Sequence, residues 1–165
     1  CTQHSNTVIL FLKELNFEDN EMSDLKNTVI AVSGGFDPIH FGHVRMILEA
    51  ATHGDVVVIA NSDEWLTRKK GYVFMPFEER REILLAFKGV VYVAKAEDND
   101  NTVCDSLRSL QPDIFANGGD RKGENVPEVA LCKELEIDML WNCGGGKIQS
   151  SSELVDKHKK NKVEK

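Results

Sequence analysis

The chain has 165 residues, 41% of them hydrophobic and 28% charged, which suits one domain with a buried core and excludes wholesale disorder. Its formal net charge of −7 argues against broad binding to nucleic acid or to an anionic membrane surface, so neither is expected as a partner. No apolar run approaches the ~18–20 residues of a membrane span.

Residues 1–27 read as an N-terminal extension. Val8, Ile9, Leu10, Phe11, Leu12, Leu15 and Phe17 have the spacing of a short amphipathic helix, and acidic residues follow at Glu18, Asp19 and Glu21. Met22-Ser23-Asp24 resembles a start of translation. An annotation artefact and a docking arm are both open readings of the residues before it. No basic n-region or clear apolar h-region of a signal peptide is visible.

From Thr28 onward, β-branched runs alternate with helical periodicity. A buried strand is expected over 28–33, broken by Gly34-Gly35. Residues 41–53 carry Val44, Ile47, Leu48 and Ala51 at helical spacing. A second strand covers 55–60, and a loop with Arg68, Lys69, Lys70 and Gly71 is expected after it. Pro76 opens a helix to about Phe87, with Glu78 and Glu79 where the dipole favours acid. A third strand over 90–94, a helix over 101–110 and a fourth strand over 113–116 follow. Gly118-Gly119 breaks the chain again, before a helix over 127–136 and a fifth strand over 138–141. Gly144-Gly145-Gly146 makes a turn, and a last helix over 152–160 runs into a basic tail.

This alternation predicts a single α/β Rossmann-like domain over 28–165, an about five-stranded parallel sheet with helices on both faces. Ligands of such sheets sit beyond the carboxyl ends of the strands. The loops at 34–43, 61–71, 117–125 and 142–152 are therefore the places to look. Cys1, Cys104, Cys132 and Cys143 form no CxxC pair. The expectation is free thiols in a reducing cytoplasm, with neither a zinc site nor a disulfide framework.

The densest chemistry lies in Gly34-Gly35-Phe36-Asp37-Pro38-Ile39-His40-Phe41-Gly42-His43. Glycines at a strand end let the backbone approach a ligand, and free N–H groups at the following helix start favour an anion. His40 and His43 are spaced to share one face of the first helical turn, where imidazoles can donate to phosphate oxygens. The same spacing also suits a capping turn or a weak metal pair. Neither GxxxxGK[ST] nor GxGxxG is present.

The segment resembles the HxGH signature of the cytidylyltransferase-like nucleotidyltransferases, roughly G-x-F-D-x-x-H-x-G-H, with every defined position filled. The resemblance extends over about residues 28–157. Asn61-Ser62-Asp63-Glu64 resembles the family's substrate-side loop, Lys69-Lys70 its mobile phosphate-binding lysines, and Phe77-Glu78-Glu79-Arg80 its E-x-R helix start. Pro112-Asp113-Ile114-Phe115-Ala116-Asn117-Gly118-Gly119-Asp120 is similar to a stretch of ADP-heptose synthase-type members. Ser150-Ser151-Ser152 stands at the family's helix cap. The arginine that glycerol-phosphate cytidylyltransferases carry before the final helix is missing, and Lys147 or Arg121 is left to supply that cation.

The resemblance implies transfer of AMP or CMP from ATP or CTP, with Mg²⁺, to a phosphorylated sugar or polyol, by a homodimer. It implies His40, His43 and Lys70 as catalytic residues. Gly35, Phe36, Gly42, Lys69, Arg80, Gly118, Gly119, Asp120, Ser150, Ser151 and Ser152 would bind nucleotide, and Asp37, Asp63 and Arg121 the acceptor. No protein metal ligand is expected. On the residues alone, Arg80 reads as a surface helix residue, Asp63 as a turn cap or a hydroxyl acceptor, and Lys69-Lys70 as solvated charges. An adenylyltransferase acting on a coenzyme precursor and a non-catalytic nucleotide-binding domain are the other readings.

Overall fold

A computed structural model of the chain describes residues 28–118, 127–145 and 150–163, with side chains of the last stretch described through residue 157. The expected N-terminal helix, and with it the whole 1–27 extension, lies outside the described residues. The chain order is β1 (Val29–Gly34), α1 (Phe41–Ala51), β2 (Asp55–Ala60), α2 (Asp63–Lys70), α3 (Phe77–Leu85), β3 (Val90–Lys95), α4 (Cys104–Leu110), β4 (Ile114–Gly118), α5 (Pro127–Glu134), β5 (Asp138–Cys143) and α6 (Ser151–Val163).

All strand pairs are parallel, in the order β3-β2-β1-β4-β5. The central strands are nearly continuous β-branched runs, Val29–Val32 and Val56–Ala60, because a parallel sheet covered on both faces buries successive side chains in turn. Alternation divides the core in two. Ile30, Val32, Val56, Val58 and Ala116 meet Met46, Ile47 and Ala50 of α1 and Phe77 and Leu84 of α3. Val29, Ala31, Val57, Ile59 and Phe115 meet Leu107 and Leu110 of α4 and Leu131 and Cys132 of α5. Each large aliphatic side chain buried this way contributes about 1.5–3 kcal/mol relative to exposure. Among the described residues, no helix is long and apolar enough to cross a membrane.

The strand–helix alternation is as expected, and one element is new. The segment expected as a loop at 61–71 is the helix α2 over most of its length. Ser62 caps it, with its Oγ accepting from the Trp65 amide, and Asp63 and Glu64 occupy the first turn. Arg68, Lys69 and Lys70 close it, and left-handed Gly71 ends it. These charges suit the helix dipole at both ends. The last strand and last helix also run longer than expected, β5 to Cys143 and α6 from Ser151.

The strand order places a topological switch between β1 and β4. Pairing of β1 with β2 continues to Gly34↔Ala60, but pairing of β1 with β4 ends at Val32↔Ala116. The sheet therefore opens at its carboxyl edge between these two strands, where ligands of doubly wound folds bind.

Candidate active site

Two helix N-termini meet beside this opening. At the first, His40 caps α1 and accepts a hydrogen bond at Nδ1 from the Gly42 amide, 3.1 Å. His43 returns the pattern, its Nδ1 accepting from the His40 amide at 3.2 Å. The two rings stack, with centroids 3.8 Å apart. Since both Nδ1 atoms accept, the proton of each neutral imidazole is assigned to Nε2. The capping reading and the phosphate-donor reading are thus compatible, because the cap fixes the ring that would present an Nε2–H donor.

Gly42 is required by this arrangement. A Cβ there would stand 2.9 Å from His40 Cε1 and 3.0 Å from its Nδ1. Any side chain would push the capping ring away. Phe36, 1% exposed, lies under the motif with its ring centroid 4.8 Å from that of His43. Its backbone is left-handed, φ 53°. Its side chain forms the floor on which His43 rests.

The second helix terminus belongs to α6. Ser150 Oγ accepts from the Glu153 amide as a cap, and Ser151 Oγ donates to the Pro38 carbonyl at 2.7 Å. Ser151 thereby ties the start of α6 to the HxGH segment, while Ser152 is exposed. The link before it is anchored on α1. The Gly144 amide donates to Glu49, Cys143 Sγ to the Met46 carbonyl, and a Cβ on Gly144 would come within 2.7 Å of the Met46 nitrogen. Together the two helix starts form a region suited to an anion.

Below them lies a buried polar frame. Arg80 is 0% exposed, which corrects its reading as a surface residue. It donates from Nε to Met75 O, from Nη1 to Gly35 O and Asn61 O, and from Nη2 to Asp63 Oδ1, all within 2.7–2.9 Å. The guanidinium fork suits this task because its donors lie in one fixed plane. Asp63 is therefore an ion-pair partner rather than a turn cap. Asp37, 1% exposed, accepts from the Phe74 and Met75 amides and from Lys70 Nζ, 3.1 Å away. Lys70 also donates to the Asp37 carbonyl at 2.7 Å. Lys69 lies over the Trp65 ring, 4.5 Å from its centroid. So the pair expected in a mobile loop ends a helix, with Lys70 drawn to a buried carboxylate.

Asp98 had no place in the expected site. It is 3% exposed and accepts from the Asn61 side chain and from the amide and hydroxyl of Ser62. The signal was available: Asp98 follows the third strand, at the same edge as the other loops. Gly118 ends β4, which runs two residues past the strand end expected at Ala116. Gly119, Asp120, Arg121 and Lys147 lie outside the described residues.

Among the described residues no group of His, Cys, Asp and Glu is arranged to hold a metal. The nearest carboxylates, Asp37, Asp63 and Asp98, are engaged by the partners named above. They do not fit a protein-held Mg²⁺.

Comparison with known proteins shows the family. The family model described as cytidylyltransferase-like matches residues 31–142. The chain is 34% identical over 113 residues to the bifunctional protein HldE of Sulfurimonas denitrificans, covering 66% of this chain and 23% of that protein. For the HldE protein of Streptomyces coelicolor the identity is 38% over 110 residues, covering 65% and 23%. For that of Hahella chejuensis it is 33% over 143 residues, covering 82% and 28%. The chain thus spans about a quarter of the length of these relatives. The crystal structure of a lipopolysaccharide core biosynthesis protein from Thermoplasma volcanium shares the fold, with a TM-score of 0.58 at 20% identity, over 70% of this chain and 95% of that one. With the HxGH turn, the switch-point opening and the matched family model in agreement, the chain belongs to the cytidylyltransferase-like family of nucleotidyltransferases.

Proposed function

We propose that the chain transfers a nucleotidyl group from ATP or CTP to a phosphorylated sugar or polyol, releasing pyrophosphate. The observation that carries this reading is the reciprocal His40–His43 cap, which fixes two imidazoles at a helix start with Nδ1 already used as an acceptor. In the reaction, an oxygen of the acceptor phosphate attacks the α-phosphorus. The bond from that phosphorus to the bridging oxygen of the β-phosphate breaks, and pyrophosphate leaves. A phosphate monoester is already an anionic nucleophile, so positioning and charge neutralisation suffice.

In this reading His40 and His43 donate from Nε2 to phosphate oxygens, helped by the amides at the starts of α1 and α6. Gly35, Gly42 and Gly118 line the nucleotide's path, and Gly119 and Asp120 are assigned to nucleotide binding by the family resemblance. Arg80 and Asp37 act by holding the loops in place, and Lys69, Lys70 or Arg121 balances the charge of the phosphates. Asp63 and the α6 serines complete the rim.

The test is pyrophosphate release with a panel of nucleoside triphosphates and phosphorylated acceptors. Charge on the leaving group grows as the bond breaks, so losing a preorganised donor should lower kcat by ~10²–10³. His40→Ala and His43→Ala are each expected to show that loss with thermal unfolding little changed. His53→Ala, at an exposed position just beyond the end of α1, is the internal control. Turnover with a nucleotide or pantetheine-type acceptor alone would favour the coenzyme-precursor enzyme. Nucleotide binding without pyrophosphate release from any pair would leave a binding domain.

A further inference from the structure

Asn117 stands at the point where the sheet splits, and the catalytic scheme does not use it. It is 3% exposed, yet among the described residues its side-chain Nδ2 has no hydrogen-bond partner. Two polar side chains of comparable burial at the end of β2 behave differently. Asn61, at the end of β2, donates its Nδ2 to Asp98, and Ser62 donates its hydroxyl to the same carboxylate. Buried amide donors are nearly always paired, so an idle one at a ligand edge marks a place where a partner arrives.

The backbone around Asn117 is opened on both sides. Towards β1, pairing stops one residue earlier, at Val32↔Ala116. Towards β5, the register shifts between Ala116↔Leu140 and Gly118↔Cys143, so that two residues, Trp141 and Asn142, stand opposite Asn117. Asn142 is left-handed, φ 57°. Such a bulge re-aims side chains beside functional sites. Strand alternation puts Asn117 on the face of Phe115, the α4 and α5 side, whereas the HxGH turn opens α1 on the other face. A ligand whose phosphates lie at α1 would reach Asn117 with a part beyond them.

We propose that Asn117 is a specificity-determining residue whose Nδ2 donates to a neutral oxygen of the bound substrate, a hydroxyl of a sugar ring or polyol. The donor is uncharged, which suits a hydroxyl better than a phosphate. The hydroxyl belongs either to the nucleotide's ribose or to the phosphorylated acceptor. This inference rests on the nucleotidyltransferase reading.

The decisive variant is Asn117→Leu, which keeps the number and branching of the side-chain heavy atoms and removes the donor. Nδ2 makes no protein hydrogen bond that this change would break, so the variant is expected to stay folded. The probes are ATP, CTP and their 2′- and 3′-deoxy forms, with glycerol 3-phosphate and a panel of aldose 1-phosphates, measured by calorimetric titration and by KM. Asn117→Leu is expected to unfold cooperatively and to weaken one class of probe by roughly 5- to 100-fold. Weaker binding of ATP or CTP, with the variant indifferent to the deoxy form that the natural chain rejects, assigns the ribose. A raised KM for the phosphorylated acceptor alone assigns the acceptor. Asn117→Gln or Asn117→Ser, which keep a donor, should recover part of the loss. A natural chain that binds nucleotide, with every affinity and KM unchanged in Asn117→Leu, overturns this proposal and leaves the nucleotidyltransferase reading standing. A natural chain that binds none of the probes overturns both.

Discussion

Lys69 and Lys70 are neighbours in sequence and differ in consequence. Lys69 rests on the Trp65 ring, near the surface of α2, whereas Lys70 is tied to the side chain and carbonyl of Asp37. The Asp37 carboxylate is fully buried, and with Lys70 removed it would keep its backbone donors but lose its counter-charge. Lys70→Ala is therefore expected to destabilise the fold by ~2–3 kcal/mol, and Lys69→Ala by at most about 1 kcal/mol. Urea unfolding of the two variants checks this. Equal, negligible effects would mean that the Lys70–Asp37 pair is not held in solution. Side-chain partners of this kind were not legible in the sequence. Arg80 followed two glutamates at a helix start and looked solvated, and only the fold brings the carbonyls of Gly35, Asn61 and Met75 around it.

At the scale of elements, hydrophobic period was the reliable guide. Strands β1 and β2 and helix α1 carry unbroken β-branched runs or a clear apolar stripe, and they lie where the pattern put them. Helix α2 has Leu66 as its buried residue and is held by its caps and charges, so periodicity passed over it although Ser62, the two leading acids and Gly71 were all visible. The cysteines follow the elements too. Cys104 opens α4, Cys132 lies in α5 and Cys143 ends β5, all buried and unpaired. Burial pushes the Cys132 thiol up to about 11 and the Cys143 thiol up to about 12, from an ordinary 9.0. At pH 8 the reactive thiolate fraction would then be only ~10⁻³ to 10⁻⁴. In the native chain these sites are expected to resist alkylation by iodoacetamide at pH 8, and in denaturant to react fully, read site by site by mass spectrometry. Native labelling as fast as in denaturant would mean that α5 or β5 opens readily. The linkage has one sign. An unfolded thiol ionises near 9 while the folded one holds its proton, so this contribution is whole below pH 9 and is lost as pH rises towards 11–12.

For the whole molecule, the sheet order and the two-faced core explain why the motif was readable. A parallel sheet wound outward from β1 in both directions must leave its opening between β1 and β4, and the richest sequence segment follows β1. What could not be read was the polar frame beneath, since it joins residues far apart in sequence: Asp37 with Met75, Arg80 with Gly35, Ser151 with Pro38. Each of these contacts, and the family match over 31–142, involves only residues after 27. We therefore propose that residues 28–165 hold the nucleotidyltransferase unit and that it pairs as the family resemblance implies. A chain shortened to begin at Met22 is expected to unfold cooperatively, to bind ATP or CTP as the full chain does, and to scatter light at about twice the mass of one subunit. Scattering at the mass of a single subunit, with nucleotide binding retained, would overturn the dimer and keep the domain assignment. Loss of cooperative unfolding would show instead that the apolar face of Val8, Leu12 and Leu15 covers part of the core.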